Sequence, residues 1–186
     1  EVEAEMRPYF SLAFGTPGSL HSFGQEGIAA LDRGRETIAA ALGADFREII
    51  FTGSATEANN LALRGVLQGF RVQGLRPRII VSTIEHESIL ETAEDLKKGG
   101  VEVVYLPVRE RGLVDLRKLE SLLDERTVLV SIMYANNEIG TIEPIAEIGN
   151  LIKVFKREKG VSETRFARSS GELALSSPLG RRLLLK

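Results

Sequence analysis

Cysteine is absent from the 186 residues. That absence closes three routes at once: disulfide stapling, cysteine-ligated metal, and a thiol nucleophile supplied by the chain itself. Histidine is scarce, with His21 and His86 the only two. His86 has no partner at a zinc-motif spacing, so no metal site is expected. An excess of either charge is also missing. The 24 basic and 26 acidic residues leave a net of -2, which creates no general attraction for nucleic acid or an anionic membrane. No apolar run approaches the ~20 residues needed to cross a bilayer. The opening stretch Glu1 to Glu5 is acidic, unlike the basic start of a secretory signal. Neither nucleic-acid nor membrane partners are therefore expected, and the expected location is cytoplasmic.

What is present is ordinary globular material, 43% hydrophobic and 27% charged, enough for one sizeable core. Glu1 to Phe10 reads as the tail of an amphipathic helix without a capping residue, as though its start lay upstream. A turn-rich stretch, Gly15 to Ser19, precedes a helix over Gln25 to Leu42, with Ile28, Leu31, Ile38 and Leu42 on one face and Gly43 as its stop.

From Glu48 an alternation sets in. The short apolar runs Ile49 to Phe51, Ile79 to Val81, Val101 to Leu106 and Val128 to Met133 predict strands. Helical periodicity follows each of them, over Ala55 to about Gln73, Ser88 to Lys98, Asp115 to Leu123 and Ile145 to Lys159. Nearly continuous apolar strands alternating with amphipathic helices predict an α/β fold, a mostly parallel sheet with helices on both faces. The pattern stops near Gly160. Residues 161–186 carry Arg165, Arg168, Arg181, Arg182 and Lys186 among several serines, and are expected to form an irregular or disordered tail after a domain over 1–160.

Three segments can carry chemistry. In Phe51 to Asn60 a turn of small residues leads into a helix, so backbone N–H groups, the helix dipole and the hydroxyls of Ser54 and Thr56 suit a phosphate. A capping box between Ser54 and Glu57 explains the same residues without a ligand. His86, between Glu85 and Glu87, follows the strand Ile79 to Val81 at the carboxyl end where open parallel sheets bind ligands. It could stack on an aromatic ring, or be a polar loop histidine beside a helix start. Asn136 and Asn137 follow the strand Val128 to Met133, and either ligand binding or turn chemistry accounts for them.

Taken together with Ser19-Leu20-His21-Ser22-Phe23-Gly24, the strings Ala55-Thr56-Glu57-Ala58-Asn59-Asn60-Leu61-Ala62, Glu85-His86 and Val130 to Thr141 resemble the cysteine desulfurases of the class V aminotransferase superfamily in order and spacing. The resemblance runs from the first residues to about Gly160. It implies a fold-type-I enzyme that uses pyridoxal 5'-phosphate (PLP) to take sulfur from L-cysteine, releasing alanine. An enzyme persulfide then passes the sulfur to an iron–sulfur scaffold or another acceptor, and the intact enzyme is a homodimer. Carried over, Ala55 and Thr56 would hold the cofactor phosphate, His86 would stack on the ring as a catalytic residue and help move protons, and Asn137 would contact the ring's 3-hydroxyl oxygen.

Departures from the family pattern are specific. Gly53 and Ser54 stand in exchanged order relative to the usual Ser-Gly, and Thr16 stands where Asn is usual. The pyridine-binding aspartate is missing, the last aspartate being Asp124. No Ser-x-His-Lys segment supplies the Schiff-base lysine, and no cysteine accepts the sulfur. The expectation is a truncated or frameshifted desulfurase-like chain, inactive alone. The alternatives are a selenocysteine lyase or other class V enzyme, a non-catalytic binding subunit, and an inactive pseudogene product.

Overall fold

The computed structural model describes residues 1–71 and 76–159, the side chains of 69–71 excepted. The expected irregular tail lies outside the described residues. The chain divides into two compact units, residues 1–49 and the residues from Ile50 onward.

The first unit is helical. Helix α1 spans Val2–Ser11 and, as its sequence suggested, starts with no side-chain cap. Helix α2 spans Ser22–Leu42 and stops at Gly43, whose left-handed φ of 62° is the conformation glycine adopts without steric cost. Asp45 then caps a single 3-10 turn, Phe46–Glu48, with a reciprocal capping box to Glu48. Arg35 of α2 secures this turn, donating from Nε to the Ile49 carbonyl at 3.2 Å and lying over the Phe46 ring.

The second unit carries the predicted alternation: α3 (Ala55–Arg71), β1 (Arg78–Ser82), α4 (Glu87–Lys98), β2 (Glu102–Leu106), α5 (Leu116–Leu122), β3 (Thr127–Ser131) and α6 (Ile145–Glu158). The strands form a parallel sheet in the order β2-β1-β3. Strand β1 lies in the middle, and both its faces are dry. Ile79 and Val81 point to one core with Leu63 and Leu67 of α3 and Ile89, Ala93 and Leu96 of α4. Ile80 points to the other, with Leu119 of α5 and Ile148 of α6. A strand covered on both faces cannot alternate apolar with polar residues, which is why β1 reads as an unbroken apolar run. Burial of each such side chain contributes about 1.5–3 kcal/mol relative to exposure.

One strand expectation fails. Ile49 to Phe51 is not part of the sheet, and Ile50 and Phe51 remain 50% and 44% exposed. An apolar run becomes a strand only where a neighbouring ladder accepts its backbone, and none of the three described strands takes that place.

At the amino edge of the sheet, ion pairs tie the strand beginnings together. Arg78, the first residue of β1, pairs with Glu102 at the start of β2 and, at 2.8 Å, with Asp124 before β3. Arg126 joins the same two carboxylates at 2.7 and 2.8 Å. The Arg78 hydrogen bond, with the nearby charges of Arg78 and Arg126, holds the Glu102 carboxyl below its ordinary range, although burial acts the other way. For Asp124 burial is the largest single influence and pushes upward. It is outweighed by hydrogen bonds from Arg126 and Thr127 and by the charge of Arg78, so the net displacement is downward.

Candidate functional site

The opposite, carboxyl edge is built from three segments that leave polar groups exposed. The first is the start of α3. A helix begins with N–H groups that have no intrahelical acceptor, and here these belong to Ala55 and Thr56, both exposed. Ser54 accepts the Glu57 N–H at 3.1 Å through its hydroxyl, as an N-cap does. Glu57 reaches back one residue further than the expected box, so that its Oε2 accepts from the Gly53 N–H at 2.7 Å. The capping reading of Ser54 is therefore realised, while the Ala55 and Thr56 amides stay available beside the Thr56 hydroxyl.

The second segment connects β1 to α4. Strand β1 ends at Ser82, and His86 becomes the N-cap of α4, its Nδ1 accepting from the Ser88 N–H at 3.1 Å. An imidazole in this role is uncommon, because capping usually falls to Ser, Thr, Asp or Asn. The ring is otherwise exposed. The Ser88 hydroxyl lies 3.0 Å from the same Nδ1 and accepts from Asn59 Nδ2 at 2.8 Å. Asn59 is only 8% exposed and belongs to the second turn of α3. A side-chain chain thus runs from the helix that begins at Ala55 to the histidine.

The third segment follows β3. Asn136 folds it into a turn, with Oδ1 accepting from the N–H groups of Glu138 and Ile139 at 2.9 and 3.0 Å. Its backbone receives the Gly140 N–H, and its own N–H reaches the Thr141 carbonyl. Its Nδ2 donates to the Ile84 carbonyl at 3.1 Å, across to the segment after β1. Asn137 is exposed, and its side chain makes no hydrogen bond among the described residues. The two adjacent amides, alike in the sequence, have separated into a structural one and an open one.

This turn rests on a second support. Gly112, with φ 77°, lies so close to Ile139 that a Cβ would meet its Cδ1 at 2.5 Å, and Thr141 donates to the Arg111 carbonyl. Glu143, 2% exposed, accepts the Val114 N–H through Oε2 at 3.1 Å. Its other oxygen is buried with no hydrogen-bond partner among the described residues. Burial pushes this carboxyl above its ordinary value, and the Val114 N–H offsets only part of that.

Of the residues singled out in the sequence, Ala55, Thr56, His86 and Asn137 all lie on these three segments. Hydrogen bonds join the first segment to the second through Asn59 and Ser88, and the second to the third through Asn136. Ser88 and Glu143 were not singled out, and Asn59 entered only as a member of the Ala55 to Ala62 string, with no role given to it. A Ser two residues after a histidine at a helix start was the one local signal for Ser88, whereas Asn59 touches it across 29 residues. Among the described residues no His, Asp and Glu group could hold a metal ion, and no helix is long and apolar enough to cross a membrane.

The aminotransferase class-V family model matches residues 1–158. The chain is 46% identical over 155 residues to the cysteine desulfurase IscS of Dictyoglomus turgidum, covering 83% of this chain and 39% of that protein. It is 44% identical over 155 residues to the putative cysteine desulfurase IscS 1 of Bacillus subtilis, covering 83% and 40%. Among solved structures, a NifS-like protein superposes with a TM-score of 0.77 at 40% identity over 86% of this chain and 42% of its own. SspA, solved in complex with cysteine, gives 0.74 at 36% over 84% and 44%. The chain spans about two fifths of the length of these relatives.

Proposed function

The chain belongs to the aminotransferase class-V family, and from that premise we propose that it carries the phosphate-binding and ring-facing part of a PLP site of the cysteine desulfurase kind. The donor set supports the reading. Two first-turn amides and the Thr56 hydroxyl, at the positive end of the α3 dipole, fit a phosphate dianion. The Glu57 carboxylate is already engaged on the Gly53 N–H and leaves those donors unfilled. The observation that carries the proposal is the Asn59–Ser88–His86 chain, which couples the anion-binding helix to a ring-facing side chain.

When bound, PLP supplies the electron sink for cleaving the C–S bond of L-cysteine. The residues of this chain have narrower tasks. Ala55 and Thr56 hold the phosphate, His86 covers the ring and handles a proton at Nε2, and Asn137 donates to the 3-hydroxyl oxygen. Asn136 keeps the Asn137 turn attached to the segment that carries His86. No cysteine occurs in the 186 residues, so the persulfide forms on a thiol outside them before passing to an iron–sulfur scaffold or other acceptor. With neither that thiol nor a Ser-x-His-Lys segment, these residues alone bind PLP without turning over cysteine.

The experiment is a titration of the purified chain with PLP, followed by borohydride treatment. Saturable binding, weakened about tenfold in Thr56→Ala and leaving no reduced lysine adduct, is the expected result. Binding that ignores Thr56→Ala would remove the phosphate assignment. Alanine released from L-cysteine by the chain with PLP would overturn the claim that the chain does not turn over cysteine alone.

A further inference from the structure

We propose that Asn59 and Ser88 are positioning residues that hold His86 as the neutral tautomer with its proton on Nε2, so that this histidine meets a bound ligand as a hydrogen donor. The inference rests on the reading that His86 faces the cofactor. It adds which ring nitrogen carries the proton and what keeps it there.

The argument begins with a group that cannot reverse its role. A backbone N–H only donates, and the Ser88 N–H points at His86 Nδ1 from 3.1 Å. Nδ1 must therefore present its lone pair, which in a neutral imidazole leaves the proton on Nε2. The Ser88 hydroxyl could in principle undo this, because a hydroxyl both donates and accepts. Asn59 shifts the balance. Its Nδ2 donates to Ser88 Oγ at 2.8 Å, which fills one of the hydroxyl's two acceptor lone pairs and favours the orientation that sends its own hydrogen toward Nδ1, 3.0 Å away. Two donors then converge on one ring nitrogen, and the Nδ1–H tautomer would face both.

The placement gives the device a purpose. Asn59 is one helical turn after Ala55 on α3 and therefore on the same side, so the helix whose first amides face a phosphate also sets the proton on the histidine. Asn59 is nearly buried whereas the His86 ring is exposed. The controlling side chain is thus held in the packed interior while the controlled ring stays open to a ligand. His21 provides an internal contrast. It caps α2 in the same manner, with Nδ1 accepting from the Gly24 N–H at a longer 3.3 Å, but no hydroxyl backs its ring among the described residues.

Long-range proton–nitrogen NMR of the histidine side chains in the full chain, under mildly alkaline conditions, tests this. The unaltered chain is expected to show His86 almost wholly as the Nε2–H form, and more completely so than His21. Asn59→Ala and Ser88→Ala each raise the Nδ1–H fraction at His86 severalfold while leaving His21 unchanged, and Ser88→Thr, which keeps the hydroxyl, restores the original state. If an alanine variant does not fold, Asn59→Asp, which offers only acceptors to the hydroxyl, carries the same contrast. A mixed His86 in the unaltered chain, or a His86 tautomer indifferent to all of these changes, overturns the proposal. Adding PLP provides the separate arm. Movement of the His86 Nε2–H signal supports the cofactor reading, and its absence defeats that reading while the tautomer result stands by itself.

Discussion

The two edges of the same sheet solve opposite problems. At the amino edge each charge meets an opposite one, with Arg78 and Arg126 set between Glu102 and Asp124, and the beginnings of all three strands are locked to each other. At the carboxyl edge the polar side chains divide into two layers. Asn59, Ser88 and Asn136 make the hydrogen bonds that tie the three segments together, while Thr56, His86 and Asn137 present exposed groups. The contrast teaches where a parallel sheet can tolerate unfilled donors. They are affordable only on a framework satisfied elsewhere, because a buried polar group without a partner costs about 1–3 kcal/mol, and exposure to water removes that penalty.

The largest effect expected is at the closed edge. Arg78→Met leaves the Glu102 and Asp124 carboxylates with Arg126 alone in a half-buried setting, and denaturant unfolding should show a loss of about 3 kcal/mol. A loss below ~1 kcal/mol would mean that the network is only a solvated surface feature. At the open edge Asn136→Ala removes four side-chain hydrogen bonds, one of them to the Met133 sulfur, and should cost about 2 kcal/mol, with faster amide exchange at Glu138 and Ile139. Little change in either would show that the turn holds without its inner layer.

Acid and base separate the edges more finely. Glu102 is held below its ordinary value of 4.5, so its contribution to stability is present above that value and is lost as the pH falls through the lowered one. Glu143 is displaced upward from the same 4.5. Its contribution is full below 4.5 and declines as the pH rises through the raised value, when an unpaired charge must be buried. Glu143→Gln is accordingly expected to stabilise the chain by about 1 kcal/mol at neutral pH, and to flatten the decline above 4.5 without changing the acid limb. A variant that is less stable at neutral pH would show that the ionised carboxylate is wanted there. The smallest structural effect belongs to Thr56→Ala, with under about 0.5 kcal/mol of stability lost despite the weakened PLP binding. A large destabilisation would move Thr56 from the outer layer to the inner one.

Legibility in the sequence follows the same division. The helices and β1 to β3 were readable because burial on both sheet faces writes apolar runs and helical periodicity into the chain. Ile49 to Phe51 misled because an apolar triplet says nothing about whether a partner strand is alongside. The outer layer was legible from position, since Thr56, His86 and Asn137 follow strand or helix boundaries. Of the inner layer only Asn136 was, through its turn chemistry, because Asn59 and Ser88 meet through tertiary structure and carry no periodicity. The turn around Arg111, whose φ of 65° is rare for a side-chain-bearing residue, also left no signal beyond its neighbour Gly112. Glu143 looked like any surface acid until the backbone of Val114 was seen against it.

The bond from Asn136 to the Ile84 carbonyl also has a consequence for the order of events during folding. It spans 52 residues, so it cannot close until both β-strand crossovers on either side of β1 have been threaded and docked. Local helices form in about a microsecond, whereas such a long loop bears its closure entropy before any contact repays it. The Asn136 turn is thereby tied to the segment after β1 only once β2 has been laid down on the far side of β1, which places this bond among the late contacts of the unit.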